Sequence, residues 1–235
     1  FGNRLNGALG YYTRESEDLL LNVPLSRTTG FASQTRNIGR MKNSGFEAEL
    51  EFTVVRSNDF NLTIGGNFAT NENEVLELAK DAAGNDINIT TGSQRVEVGH
   101  AAYEWYLPTW AGVDPQSGVD TYYVNGYDGE TTSNYLEAER AWQGASALPT
   151  VSGGLNLHAS YKGFFVDADV FYQGGHKINE GWHLYTSQGN AYSLNAYQGI
   201  NTVLDRWQQP GDVTRIAKVT SNYPPWEVNS KFLYD

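Results

Sequence analysis

Phe46-Glu-Ala-Glu-Leu-Glu-Phe-Thr-Val54 alternates without a break. Phe46, Ala48, Leu50, Phe52 and Val54 fall on one side of an extended chain, and Glu47, Glu49, Glu51 and Thr53 on the other. A short polar turn, Arg56-Ser-Asn-Asp59, leads into Phe60-Asn-Leu-Thr-Ile-Gly-Gly-Asn-Phe68. There Phe60, Leu62, Ile64 and Phe68 face one way, with Asn61, Thr63 and Asn67 opposite. The spacing predicts a β-hairpin with one apolar and one polar face. The device recurs at 151–161, where Val151, Leu155, Leu157, Ala159 and Tyr161 alternate with Ser152, Asn156, His158 and Ser160. After a tight turn at Lys162-Gly163, Phe164, Val166, Ala168, Val170 and Tyr172 alternate with Asp167, Asp169 and Gln173. Near the start, Leu5, Leu9 and Tyr11 line one side of a fifth strand over 5–13.

Each strand is about 9–11 residues long, the length a tilted strand needs to cross a bilayer. The turns at 56–59 and 162–163 are tight, whereas the connections at about 15–37, 70–150 and 174–230 are long. Short turns on one side and long loops on the other are the habit of outer-membrane barrels. The repeated acids Glu47, Glu49, Glu51, Asp167 and Asp169 then read as a hydrated lumen wall. Phe46, Phe60, Tyr161, Phe164 and Tyr172, at strand ends, read as an interfacial girdle. A soluble β-sandwich satisfies the same alternation if the apolar faces pack on each other. Five strands cannot close a barrel, which takes about eight at the least, so the barrel reading makes 1–235 part of a larger wall.

Composition narrows function. The 235 residues carry 16 basic and 27 acidic side chains, a net charge of -11, which argues against nucleic acid as partner. With no cysteine there is no disulfide scaffold and no thiolate chemistry. The five strand acids repeat along strand faces rather than converging on one point, so they do not form a catalytic pair. His100, His158, His176 and His183 lack the companions of a metal site. Asp81, Gly84, Asn85 and Asp86 form a polar turn without the spacing of a calcium loop. No phosphate-cradling glycine motif and no nucleophile elbow is present, and neither enzymatic activity nor a cofactor is expected.

The loops hold many of the 31 aromatic residues. Tyr103, Trp105, Tyr106 and Trp110 are the leading candidates for substrate contact, since flat rings with polar tips suit sugar faces and peptide side chains alike. Tyr122, Tyr123 and Tyr127 form a second group, and Trp182, Tyr185, Tyr192 and Tyr197 a third. Loop packing or contact with a lid accounts for each group more simply than cargo contact does. Asp114-Pro-Gln-Ser-Gly118 has the chemistry of a turn, with Asp capping, Pro fixing φ and Gly tolerating positive φ.

Several stretches resemble one family in order. Asn37-Ile-Gly-Arg-Met-Lys-Asn-Ser-Gly-Phe-Glu47 is similar to the "N-(I/V)-G-x-(M/V)-x-N-x-G-x-E" start of a barrel strand in SusC/RagA-type TonB-dependent outer-membrane transporters of Bacteroidetes. Asp18-Leu-Leu-Leu-Asn-Val-Pro24, Asn67-Phe-Ala-Thr-Asn-Glu-Asn-Glu-Val75 and Ala111-Gly-Val-Asp-Pro-Gln-Ser-Gly118 resemble further family motifs. So do Pro149 to Gly154 with Tyr161-Lys-Gly163, Arg206-Trp207 with Gln209-Pro-Gly-Asp-Val213, and Lys231-Phe-Leu-Tyr-Asp235. The resemblance implies an all-β chain, a C-terminal part of an antiparallel transmembrane barrel of about 22 strands with long extracellular loops. Residues 1–235 would be a partial barrel domain, without the plug domain and the final strands. It further implies import of oligosaccharides or peptides across the cell outer membrane, driven through TonB and assisted by a SusD-like surface lipoprotein. Membrane lipid would cover the apolar face. The rival reading is a soluble or surface-tethered glycan-binding β-module, and a third is an adhesin or secretion-system component on the same fold.

Overall fold

The computed structural model describes residues 2–24, 30–31, 33–37, 39–81, 83–181, 201–220 and 228–235. Its strands are β1 (Leu5–Ser16), β2 (Leu20–Pro24), β3 (Ser33–Asn37), β4 (Arg40–Arg56), β5 (Phe60–Thr70) and β6 (Glu72–Glu77), then β7 (Ile89–Thr91), β8 (Gln94–Val96), β9 (Glu104–Pro108), β10 (Trp110–Val113), β11 (Asp120–Tyr123) and β12 (Thr131–Thr132). They are followed by β13 (Arg140–Ser146), β14 (Val151–Tyr161), β15 (Phe164–Gly174), β16 (Ile178–Asn179) and β17 (Leu233–Tyr234). Among the described residues there is no α-helix, only short 3-10 turns such as Tyr135–Glu137. The chain is all-β, and the strand pairs whose register is described are antiparallel.

Two compact units divide the chain, one made of Phe1–Ile89, Val96–Tyr103 and Leu148–His176 and the other of Thr90–Arg95, Glu104–Ala147 and Lys177–Asp235. The first is built on one sheet in the order β1-β4-β5-β14-β15. Residues directly opposite in an antiparallel ladder share a face, so the registers give rows that run across the whole sheet. One row is Leu5, Phe52, Ile64, Leu157, Ala168, and the next is Gly7, Leu50, Gly66, Leu155, Val170. Tyr161 stands opposite both Phe60 and Phe164 at one end of this face. Tyr11 and Phe46 stand opposite each other at the other, with ring centroids 4.9 Å apart. From Phe60 to Phe68 the strand climbs about 26 Å at about 3.3 Å per residue. Tilted by about 40°, that is a band about 20 Å tall, close to the apolar belt of outer-membrane barrels. The face is open: Leu9 is 89% exposed, Leu155 62% and Val170 61%.

The tight turns lie together at one edge, where the Lys162 amide donates to the Asp59 carbonyl at 3.0 Å. Lys162 and Gly163 both have positive φ, 47° and 90°, the geometry of a two-residue hairpin turn. The strands outrun their expected limits at the opposite edge. β1 continues to Ser16, and β4 starts at Arg40, before the alternating stretch. Above Ala69 the partner of β4 changes from β5 to β6, which follows a break at Asn71. At that break the Tyr12 hydroxyl donates to the Thr70 carbonyl (3.1 Å) and to Asn71 Oδ1 (2.9 Å). A Cβ on Gly45 would stand 1.9 Å from the Thr70 carbonyl oxygen, so the strand passes here only as glycine.

One strand assignment changes. Val54 was expected on the apolar side, but the β4–β5 register shifts between Thr53 and Val55. Val54 is the extra residue of a bulge, and Val55 takes the apolar place opposite Leu62. The long connections also carry ladders of their own. β2 and β3 pair as a hairpin within 15–37, and β6 to β13 fill 70–150. Beyond β6 a small core of Val75, Leu78 and Ala102 is packed with Met41 and Val96.

The second unit is formed by the sheet β13-β9-β8-β7, the sheet β10-β11-β12 and the pair β16-β17. Trp105, Leu107 and Ala141 are buried on one side of the first of these.

Candidate functional site

The polar face of the five-strand sheet brings together all five acids expected there. Its rows read Gly10, Glu47, Ala69, Ser152, Gln173; then Ala8, Glu49, Asn67, Gly154, Phe171; then Asn6, Glu51, Gly65, Asn156, Asp169. In the next row Thr53, Thr63, His158 and Asp167 are aligned. His158 Nδ1 lies 2.5 Å from Asp167 Oδ1. Phe165 and Phe171 share this face with the acids, because they are two-residue steps from Asp167 and Asp169 on β15. Sequence alternation missed both, since neighbouring positions on β15 are apolar too and conceal the period.

The four candidate aromatics do not form one surface. Tyr103 is exposed and has φ 62°, and it belongs to the first unit, while Trp105, Tyr106 and Trp110 belong to the second. Trp105 is buried and its indole donates to the Lys177 carbonyl at 2.8 Å. Tyr106, on the opposite side of β9, packs at 4.9 Å on Trp142, with the Arg95 guanidinium 4.7 Å over its ring. Trp110 donates from its indole to Asp120 Oδ1 at 2.7 Å. Lys231 and Arg215 approach its ring at 5.0 and 5.3 Å. Tyr122 is buried against Tyr135, Tyr123 is half-buried and Tyr127 is exposed. Trp182, Tyr185, Tyr192, Tyr197 and His183 lie outside the described residues.

Asp120 also holds Lys231. Nζ reaches its carboxylate at 2.9 and 3.2 Å, and both side chains are only 5% exposed. Burial pulls the Lys231 ammonium below its ordinary pKa of 10.5, against the attraction and hydrogen bond of Asp120; nearby Arg215 acts in the same direction as burial. The segment around it is tied down further. Trp110 N donates to Ser230 Oγ at 3.0 Å, Arg215 Nη2 to the Lys231 carbonyl at 2.7 Å, and Tyr135 Oη to the Val228 carbonyl at 2.7 Å. No sequence signal marked this lock, whose two charges stand 111 positions apart.

Two of the quoted motifs meet in the same unit. Asp114 accepts the Gln116 amide (3.0 Å), the Ser117 amide and the Ser117 hydroxyl, which makes 114–118 the expected turn. Trp207 then covers it: its indole donates to the Pro115 carbonyl at 2.9 Å, and a Cβ on Gly118 would stand 2.3 Å from its ring. Asp212 accepts the Gln208 and Gln209 amides at 2.9 Å each and shapes the turn that follows Trp207. The Ser117 hydroxyl and the neighbouring amides hold the Asp114 carboxyl below its ordinary pKa of 3.8, and the Gln208 and Gln209 amides do the same for Asp212.

The turn at 81–86 also satisfies itself. Asp81 accepts the Ala83 and Asn85 amides, and Lys80 pairs with Asp86 at 2.9 Å. Among the described residues no group of three or more acids and histidines has the arrangement to hold a metal ion.

An open apolar belt on one face of the sheet and an acidic face behind it are the pattern of an antiparallel β-barrel wall. Similar proteins are known. The chain is 27% identical over 252 residues to TonB-dependent receptor P26 of Formosa agariphila, a match covering 100% of the chain and 25% of the relative. TonB-dependent receptor P39 of the same organism is 26% identical over 97% of the chain and 25% of its own length. TonB-dependent receptor SusC of Bacteroides thetaiotaomicron is 29% identical over 44% of the chain and 11% of its own length. The solved RagAB peptide transporter superposes with a TM-score of 0.82 at 28% identity, covering 99% of this chain and 26% of the other. The RagAB peptide importer in its closed-closed state gives 0.84 at 27%, covering 100% and 26%. No family model matches the chain. These likenesses support a fragment similar to the SusC/RagA-type TonB-dependent transporters, and the chain spans about a quarter of the length of the curated relatives P26 and P39.

Proposed function

We propose that residues 1–235 form wall and outer loops of an outer-membrane transporter that imports peptides or oligosaccharides, draws energy through TonB, and works with a SusD-like surface lipoprotein. The observation that carries this reading is the five-strand sheet with one uninterrupted apolar face and one acidic face. Lipid covers the first and water fills the space before the second. The likeness to a peptide transporter at 28% identity supports peptide as the cargo class to try first. The wall contributes no bond-making chemistry; it selects and guides. The long connections at about 15–37, 70–150 and 174–230 are the extracellular side of the barrel in this reading.

Within those loops Tyr103 and Tyr106 are the residues proposed to touch cargo. Trp105 and Trp110 act through the chain they hold, because their indole N–H groups are already committed to Lys177 and Asp120. Replacing Tyr103 and Tyr106 by alanine in the intact transporter and following uptake of labelled peptide tests the assignment. Capture should weaken several-fold; unchanged uptake and binding would remove both rings from the transport path. A soluble glycan-binding module is disfavoured by the openness of Leu9, Leu155 and Val170, which a sandwich has to cover.

A further inference from the structure

We propose that the polar face of the sheet is a trough for extended, cationic peptide segments, so that the cargo class of this transporter is Lys- and Arg-rich peptide. The inference rests on the transport reading above and adds the charge and form of what passes. Its floor is β5 and β14, the two strands between β4 and β15, which present Gly65, Asn67, Gly154 and Asn156 on this face. The two glycines have no side chain and the two asparagines short ones. Asn156 folds across Gly65 so closely that a Cβ there would be 2.3 Å from its Oδ1.

The rims are the flanking strands. Glu49 and Glu51 rise from β4, and Asp167, Asp169 and Phe171 from β15. Three strand spacings separate the rims, about 14 Å at about 4.8 Å each, which admits one extended chain with its side chains. The rim acids recur at every second residue, and so do the side chains on one side of an extended peptide.

Charge decides the occupant. The cross-strand neighbours of Glu49 are Ala8 and Asn67, and those of Glu51 are Asn6 and Gly65. None of these four is a cation; the nearest on the ladder is Arg4, opposite Thr53 and diagonal to Glu51. Asp169 stands opposite Asn156, and Asp167 meets the imidazole of His158. An anionic chain is repelled along the trough, and a neutral glycan finds hydrogen-bond acceptors in the carboxylates but brings no charge to complement them. A lysine or arginine chain meets an acid on either rim. Phe171, 73% exposed on this face, which Phe165 shares, offers a ring for the same cations.

The test compares uptake of a lysine-rich nonapeptide with that of its glutamate-substituted counterpart by cells carrying the intact transporter. The parent protein is set against a Glu49→Gln, Glu51→Gln, Asp169→Asn variant. The parent should favour the lysine peptide by about 10-fold or more at low salt, shrinking as salt is raised, and the variant by less than about 3-fold. A parent ratio near one, or a ratio that the variant leaves unchanged, overturns the proposal. Equal loss of both peptides in the variant overturns it too, because the face then seats another part of the protein instead of cargo. If the parent takes up neither peptide, the transport reading fails separately. Binding of the lysine peptide to purified intact protein then decides the trough: weakening by about 10-fold in the variant supports it, and absent or unaltered binding overturns it.

Discussion

At the scale of single residues, the positions that most constrain this chain are those with no room or no water. Gly45 is the first kind. Strand β4 passes the break between β5 and β6 with a would-be Cβ 1.9 Å from a backbone carbonyl, which cannot swing aside as a side chain can. Gly45→Ala should therefore cost about 3 kcal/mol, the upper part of the range for overpacking. The denaturation midpoint of the intact protein in detergent reads that loss, and an unchanged midpoint would remove the clash from the account. Asp120 is the second kind, holding both the Trp110 indole and the Lys231 ammonium. Asp120→Asn keeps an acceptor for the indole but leaves a buried ammonium without its counter-charge, a loss of about 3–5 kcal/mol. Adding Lys231→Met removes the stranded charge and should restore most of it. Hydrogen exchange of the amides at 229–232 measures the local opening. If the double variant opens as far as the single one, the charge is not what destabilises it.

At the scale of elements, the turn at 114–118 and the turn at 208–212 behave as one joint, because Trp207 bridges them. Both Asp114 and Asp212 have carboxyls held below 3.8 by donors in their own turns. A carboxylate depressed in the folded state contributes stability that is complete above its unfolded pKa and lost as pH falls through the folded one. The joint should thus be indifferent to pH between 5 and 8 and loosen only below about 4. Exchange protection at Gln116, Ser117, Gln208 and Gln209, corrected for intrinsic rates, reads this directly. Loss of protection at pH 6 would assign the joint to other contacts. Such a joint was not legible in the sequence. The turn at 114–118 could be read locally, but its contact with Trp207 joins positions 92 apart. Spacing rules do not reach that far. The barrel strands were legible for the opposite reason: period two is a local property, and it ran unbroken through β4, β5 and β14. It hid the bulge at Val54, the break at Asn71 and the two rings of Phe165 and Phe171 on the polar face. The strands of two to seven residues in the long connections are mostly too short to show a period. The acids of the wall were found because they repeat. The loop aromatics were found as residues but not as contacts, and Trp105 and Trp110 turn out to have partners that no pattern announced.

At the scale of the molecule, everything turns on which face of the sheet meets lipid, and paired substitutions can decide it. Leu50 and Glu49 are neighbours on β4 but belong to opposite faces, and their cross-strand partners on β1 are Gly7 and Ala8. A lysine at Leu50 would place a charge near mid-height of the apolar belt, where a lipid-facing lysine costs about 2–4 kcal/mol. A lysine at Ala8 would instead stand beside Glu49 on the hydrated face, where a cross-strand opposite-charge pair gains about 0.2–1 kcal/mol. In the intact protein folded into vesicles, Leu50→Lys should be strongly destabilised and Ala8→Lys neutral or slightly stabilised. Thicker bilayers should leave the Leu50→Lys penalty in place, because its depth keeps the ammonium from snorkelling to the interface. The equivalent change at Phe164, one of the aromatic positions at the turn edge, should cost little more than the lost ring, since the interface is within reach of its side chain. A protein packed as a soluble sandwich would show no such gradient with height: both apolar-face lysines would be buried against a second sheet and cost alike. Equal penalties at Leu50 and Phe164 would therefore sink the barrel wall, and with it the reading of the acidic face as lumen. A penalty that falls away toward the tight turns would fix the orientation of the sheet in the membrane.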